Sequence, residues 1–223
     1  MVDTNPGKGR PTVPRLVDHA ERRLAIVEAA WRLIAARGID STNMRDLARE
    51  AGYTNGALSH YFSGKDEILR AAFEHVFNAT NSRIERSVGQ RRGLAALRRL
   101  CREVMPQTEE TLLEARIAVS LWQRALNDPH MASVNAKALD TWRAQLVEYL
   151  QQAREDNEIG DVDETLLANL LMTTMIGLQV TGVLDAESSS PAAQEALINQ
   201  IIENARPNGS PRRRSRTNAA SAR

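Results

Sequence analysis

With 223 residues and 24.7 kDa, the chain suffices for one sizeable core or for a small head joined to a larger body. Hydrophobic residues make up 42%, charged residues 26% and aromatic residues only 4%; this soluble, globular composition is rich in long-chain helix formers and predicts an all-α fold. Behind a formal net charge of +1, residues 1–65 hold 10 Lys/Arg against 7 Asp/Glu, residues 66–205 hold 13 against 21, and residues 206–223 hold 6 against none, so a basic head and tail flank an acidic body.

That polarity suits a protein that presents one end to a polyanion and keeps the rest away from it. The one cysteine, Cys101, leaves no partner for an internal disulfide and fits a reducing cytoplasm. Residues 1–17 read as a flexible basic arm carrying Lys8, Arg10, Arg15 and three prolines, with no apolar segment of the kind a signal peptide needs. Asp18 and Glu21 then make a capping-box-like start to a first helix, with Leu24, Val27, Trp31 and Ile34 at spacings of three and four and Gly38 as its stop.

The segment 42–65, TNMRDLAREAGYTNGALSHYFSGK, has the organisation of a helix-turn-helix: a helix capped by Ser41 or Thr42, a turn at Gly52, and a second short helix ending in an aromatic pair. Met44, Leu47, Ala48, Ala51, Leu58 and Phe62 fall at inward-packing spacing. The other positions are short and polar. Thr54, Asn55, Ser59, His60 and Tyr61 suit phosphate oxygens or base edges, Gly56 and Ala57 add no bulk, and Lys65 offers a point charge; Thr42, Asn43, Arg45 and Tyr53 complete the candidate DNA contacts. Residues 18–64 therefore define a DNA-binding head.

Beyond it, Ser63 with Asp66 caps a helix reaching about Ser87, and Gly89 and Gly93 precede a basic helix that ends at Pro106. Arg91, Arg92, Arg98, Arg99 and Arg102 on that helix read as a solvated face. Further helices are expected from Thr108 to Asn127, from His130 to about Asn157, from a cap at Asp161 and Glu164 to Leu184, and from Pro191 onward, about nine in all. Residues 165–184 are uncharged and long enough to span a bilayer, but Asn169, Thr173, Thr174, Gln179 and Thr181 interrupt them and acids flank both ends, so a buried helix with no membrane role is the expectation. Residues 65–205 form the regulatory body, and 206–223 a disordered basic tail.

Two C-terminal apolar helices with nothing left in sequence to cover them predict a homodimer across a four-helix interface, with Leu167, Leu170, Leu171, Thr174, Gly177, Leu178, Thr181, Leu197 and Ile201 as its candidates. No enzyme is expected: the four histidines are scattered, no metal constellation, phosphate loop or nucleophile elbow occurs, and no cofactor is called for.

The run Thr54, Asn55 to His60, Tyr61-Phe62, Lys65 and on to Asp66, Glu67, Ile68 and Leu69 resembles the DNA-binding motif of the TetR family of bacterial regulators. That resemblance implies a cytoplasmic, dimeric transcriptional regulator, most often a repressor, on a palindromic double-stranded DNA operator. It also implies a body cavity within residues 94–160 that takes a small-molecule effector. The stretch from Ala115 through Trp122 to His130 is further similar to BetI-like regulators, which respond to choline or related compounds. Where their pattern places a second aromatic one turn before Trp122, this chain has Ala118, although a quaternary ammonium is held by several aromatic faces. The candidate pocket residues are Met105, Leu121, Trp122, Gln123, Trp142 and Tyr149. The alternative is a DNA-binding regulator without an inducer, whose body only dimerises or recruits a protein partner.

Overall fold

The computed structural model describes residues 15–38 and 41–207. Among them are nine α-helices: α1 (Arg15–Arg37), α2 (Met44–Glu50), α3 (Asn55–Leu58), α4 (Lys65–Val88), α5 (Gly93–Val104), α6 (Glu109–Ala125), α7 (Pro129–Glu155), α8 (Glu164–Leu184) and α9 (Pro191–Asn204). Residues 1–14 of the expected arm and 208–223 of the expected tail lie outside the described residues. The chain divides into two compact units, one holding residues up to 78 together with 116–132, the other 79–115 together with 133 onward.

In the first unit, the inner face of α1 is turned from the expected stripe: Val27 and Ile34 are buried, but Trp31 is only half-buried and Leu24 is 46% exposed, and Ile26, Ala30 and Leu33 take the inward positions. Ile26, Ala30 and Ile34 are buried with Leu47 and Ala48 of α2, Leu58 of α3, Phe62, and Ile68, Leu69 and Ala72 of α4. Each fully buried Leu, Ile or Phe contributes about 1.5–3 kcal/mol relative to exposure, so this core is what fixes three short or isolated helices that would not persist alone. Ile117, Leu121 and Met131 are buried in the same unit, and Arg116 donates to the Ala35 carbonyl at 3.1 Å.

The second unit is built on one cluster from α4, α5, α7, α8 and α9, including Ile84, Leu97, Leu100, Leu146, Leu150, Leu171, Met175, Ile198 and Ile202. Cys101 is sealed inside it. Arg83 of α4 places two guanidinium bonds of 2.7 Å on Glu114 of α6 and lies 3.4 Å from Glu103 of α5, a largely buried charge cluster tying three helices. Glu114 first, then Glu110 and Glu103, raise the Arg83 pKa against the opposing effect of burial.

Several caps differ from expectation, each for a local reason. α1 begins at Arg15, so Asp18 stands inside the helix rather than at its start, and the last three arm positions are helical. α2 is capped by Asn43, whose Oδ1 accepts from the Arg45 and Asp46 amides at 2.9 and 3.0 Å; Thr42 instead donates its hydroxyl back to the Gly38 carbonyl. At the start of α4, Glu67 rather than Asp66 returns to Ser63. Asp163, not Asp161, caps α8 through Leu166 N at 2.9 Å. The arginines at the start of α5 and along it are not simply solvated: Arg92, just before the helix, pairs with Glu155 and Asp156, Arg98 with Glu203, and Arg102 with Glu195.

α8 is long and apolar enough by length and composition to cross a membrane. Its inner face, however, is spent on protein: Ala168, Leu171, Met172, Met175, Leu178 and Gly182 are buried, and Gln179 donates to the Val104 carbonyl at 3.0 Å.

Candidate nucleic-acid interface

The turn between α2 and α3 is a Schellman motif. Gly52 sits at φ +76°, its amide bonds the Arg49 carbonyl at 3.2 Å, and the Tyr53 amide bonds the Ala48 carbonyl at 2.7 Å. A residue with a Cβ is strained there, so glycine is what lets the chain reverse within so few residues. Thr54 then caps α3, its hydroxyl accepting from the Ala57 amide at 3.2 Å.

With Leu58 and Phe62 turned inward, Thr54, Asn55, Gly56, Ser59 and His60 are exposed together on the outer surface, and Ala57 is half-buried among them. Asn43 and Arg45 are exposed at the start of α2, while Tyr53, Tyr61 and Lys65 are half-buried. Thr42 is a correction. It is 2% exposed with its hydroxyl committed to Gly38, so its side chain has no surface to offer. Ser59 is exposed, but its hydroxyl donates to the Asn55 carbonyl at 3.0 Å in this state.

Sequence reasoning missed the groups that hold this surface from behind. Arg23 of α1 donates to the Tyr61 carbonyl and, at 2.9 Å, to Glu67 Oε1, with its guanidinium carbon 4.0 Å from the centre of the Phe62 ring. The other Glu67 oxygen accepts from the Ser63 amide and hydroxyl, each at 2.8 Å. Those bonds, the Ser63 amide first and Arg23 next, bring the Glu67 carboxyl down to about 2. The Tyr61 ring lies between His19, at 4.8 Å between centroids, and Tyr53, at 6.0 Å and edge-on.

The remaining candidates are distributed as follows. Leu121, Trp122 and Gln123 fall in the first unit, where Leu121 is fully buried and Gln123 lines a polar cleft of about 330 Å³ with Asp66, Arg124, Asn127 and Asp128. Met105, Trp142 and Tyr149 fall in the second. Met105 is 2% exposed and belongs to the core, and the Trp142 indole donates to Asn81 at 2.8 Å. Tyr149 is half-buried, and burial raises its phenol pKa.

Of the interface candidates, Leu170, Gly177, Thr181 and Leu197 are exposed and Leu167, Thr174 and Ile201 half-buried. Leu171 and Leu178 are corrections: both point into the chain's own core, because the helical repeat turns each about 100° away from its exposed neighbour, Leu170 or Gly177. Leu166, 68% exposed, was overlooked and stands on the open face in their place.

A rigid helix-turn-helix with an outward polar surface and a separate helical body defines a DNA-binding regulator. Residues 26–72 match the model of the bacterial regulatory proteins of the tetR family, and residues 94–207 match that of the C-terminal region of BetI-type transcriptional repressors. The chain belongs to the TetR family of DNA-binding transcriptional regulators, a non-enzymatic family, and its body is of the BetI type.

It is 29% identical over 192 residues to the HTH-type transcriptional regulator PksA of Bacillus subtilis, covering 86% of this chain and 93% of that one. To the regulator BetI of Burkholderia mallei it is 25% identical over 203 residues, covering 86% and 96%. Two crystal structures share the fold. One is a transcriptional regulator from Saccharomonospora viridis in complex with choline (TM-score 0.78, 24% identity, 82% of this chain and 96% of that one). The other is a regulator from Rhodococcus (TM-score 0.74, 24% identity, 82% and 95%).

Proposed function

We propose that this regulator acts in the cytoplasm as a homodimeric repressor on a palindromic operator and is released by a small-molecule effector. The observation that carries the dimer is the open apolar face of α8 and α9, where Leu166, Leu170 and Leu197 are 68%, 50% and 51% exposed beside Gly177. Exposed leucines on these helices, with a small residue on the same side of α8, suit a two-fold four-helix contact. Two heads would then meet successive half-sites about one helical turn apart. Thr54, Asn55, Ser59 and His60 face the duplex, with Tyr61 and Lys65 on phosphates.

The choline bound by the Saccharomonospora viridis regulator supports an organic cation as the effector class to test first. Trp142 and Tyr149 offer two aromatic groups on one side of α7.

The test is a gel shift with DNA from beside the protein's own gene, run with and without choline, together with thermal melting. Protection of a palindrome, loss of the shift with effector, and a raised melting temperature support the reading, since an effector favouring the free form must do both. A palindrome that is protected but unresponsive to a panel of organic cations favours a regulator whose body only dimerises or recruits a protein partner.

A further inference from the structure

We propose that Arg23, which lies on α1 outside the helix-turn-helix, is a positioning residue for DNA binding that acts through Tyr61, with Glu67 as its anchor. This rests on the reading of Tyr61 as a phosphate contact.

Three observations converge. The first is bond direction: the guanidinium donates on one side to the Tyr61 carbonyl and on the other to Glu67, so one side chain ties the connection that leaves α3, three residues beyond its end, to the first turn of α4. The second is closure of the loop, because the Glu67 oxygen not used by Arg23 holds both the amide and hydroxyl of Ser63, two residues beyond Tyr61. Tyr61 is thus fixed from both flanks. The third is support of the ring, which is flanked by His19 and Tyr53 while Arg23 itself lies over Phe62. α3 has only four residues and no internal rigidity of its own, so the exit from it must be held from outside.

A direct phosphate contact by Arg23 is the competing role, since 35% of its side chain is exposed. The two roles separate on salt dependence: losing one phosphate contact from each of two heads lowers the slope of log affinity against log salt by about two, while losing a positioning group weakens binding with the slope unchanged. They separate again on sign at Glu67. Removing a negative charge beside a polyanion tightens binding on electrostatics alone, whereas loosening the anchor weakens it.

The experiment is fluorescence anisotropy of the full chain with a labelled operator duplex across a salt series. Arg23→Met is expected to weaken binding about tenfold at constant salt slope, and in a Tyr61→Ala background to add less than about twofold. Glu67→Gln is expected to weaken binding about threefold. A purely structural bond would lower the melting temperature and leave the affinity of the folded protein alone.

Unchanged affinity in Arg23→Met, a slope reduced by about two, additive Arg23 and Tyr61 effects, or tighter binding by Glu67→Gln would each overturn the proposal. Should circular dichroism show Arg23→Met unfolded, the sign of the Glu67→Gln effect decides alone. If Tyr61→Ala itself leaves affinity intact, the reading of Tyr61 as a contact fails first, and separately from the Arg23 measurements.

Discussion

Glu67 concentrates much of the head's local order in one carboxylate. Its pKa of about 2 lies below the unfolded value near 4.5, so the ionised form is favoured by folding. Its contribution is therefore complete above pH 4.5 and is lost as pH falls from there toward 2. Glu67→Gln should flatten the pH dependence of stability in that window relative to the wild-type chain and leave the profile above pH 5 parallel. Urea unfolding at successive pH values checks this, and two profiles parallel down to pH 2 would show that the bonds to Ser63 and Arg23 do not favour the charged form in solution. Cys101 is the opposite case: burial outweighs the lowering effect of nearby Arg98 and pushes its thiol up to about 12. A disulfide reagent at pH 8 should react with it only as fast as the body opens, because the thiolate is both scarce and enclosed. At this scale the outward residues of the helix-turn-helix were readable, since spacing alone sorts Leu58 and Phe62 from Asn55 and Ser59. Arg23 and Glu67 were not. They stand 44 positions apart, and no local pattern says that a charged residue on α1 will turn toward a carbonyl at Tyr61.

Helices were readable wherever an apolar period and a stop signal coincide, which is why α1, α5, α7 and α9 lie within a few residues of expectation. Their caps were less so, because a cap can come from elsewhere in the chain. α5 is the clearest instance. Arg92 precedes it without a side-chain cap bond, and the first amides are taken by Gln152, at 3.1 Å from Gly93 N, and by Glu158, at 2.8 Å from Leu94 N. Gly93 has φ +56°, and a Cβ there would lie 2.3 Å from Glu158 Oε2, so alanine would both strain the backbone and push the capping carboxylate away. Gly89 supplies a control at φ +54°, where a Cβ meets nothing nearer than 3.8 Å. Gly89→Ala should cost about 1 kcal/mol from left-handed strain alone, and Gly93→Ala about 2–3 kcal/mol once the lost cap is included. Equal losses in denaturant unfolding would mean that Glu158 relocates without consequence for α5.

For the whole molecule, the feature hardest to read from sequence was which side of α8 faces inward. The helix is apolar almost all round, so no amphipathic stripe marks an inner face, and Leu170 and Leu171 look alike as letters. Packing separates them: Leu171 is fully buried in the core, and Leu170 is 50% exposed on the face that also carries Leu166. A substitution on the open face should therefore break assembly without touching the fold. Leu170→Asp places charges where two copies are proposed to meet, and desolvating them across a two-fold axis costs several kcal/mol. The variant should sediment as a monomer with an unchanged helical spectrum. Its operator affinity should fall by at least a hundredfold, because joining two heads converts the second half-site contact into an intramolecular one. The acidic body, with 13 Lys/Arg against 21 Asp/Glu in residues 66–205, supplies no nonspecific DNA attraction to mask that loss. Sedimentation velocity and anisotropy on the same preparation check both consequences. A Leu170→Asp protein that remains dimeric and binds as tightly as wild type would move the interface away from this face of α8, whereas a monomer that keeps full affinity would show that one head suffices.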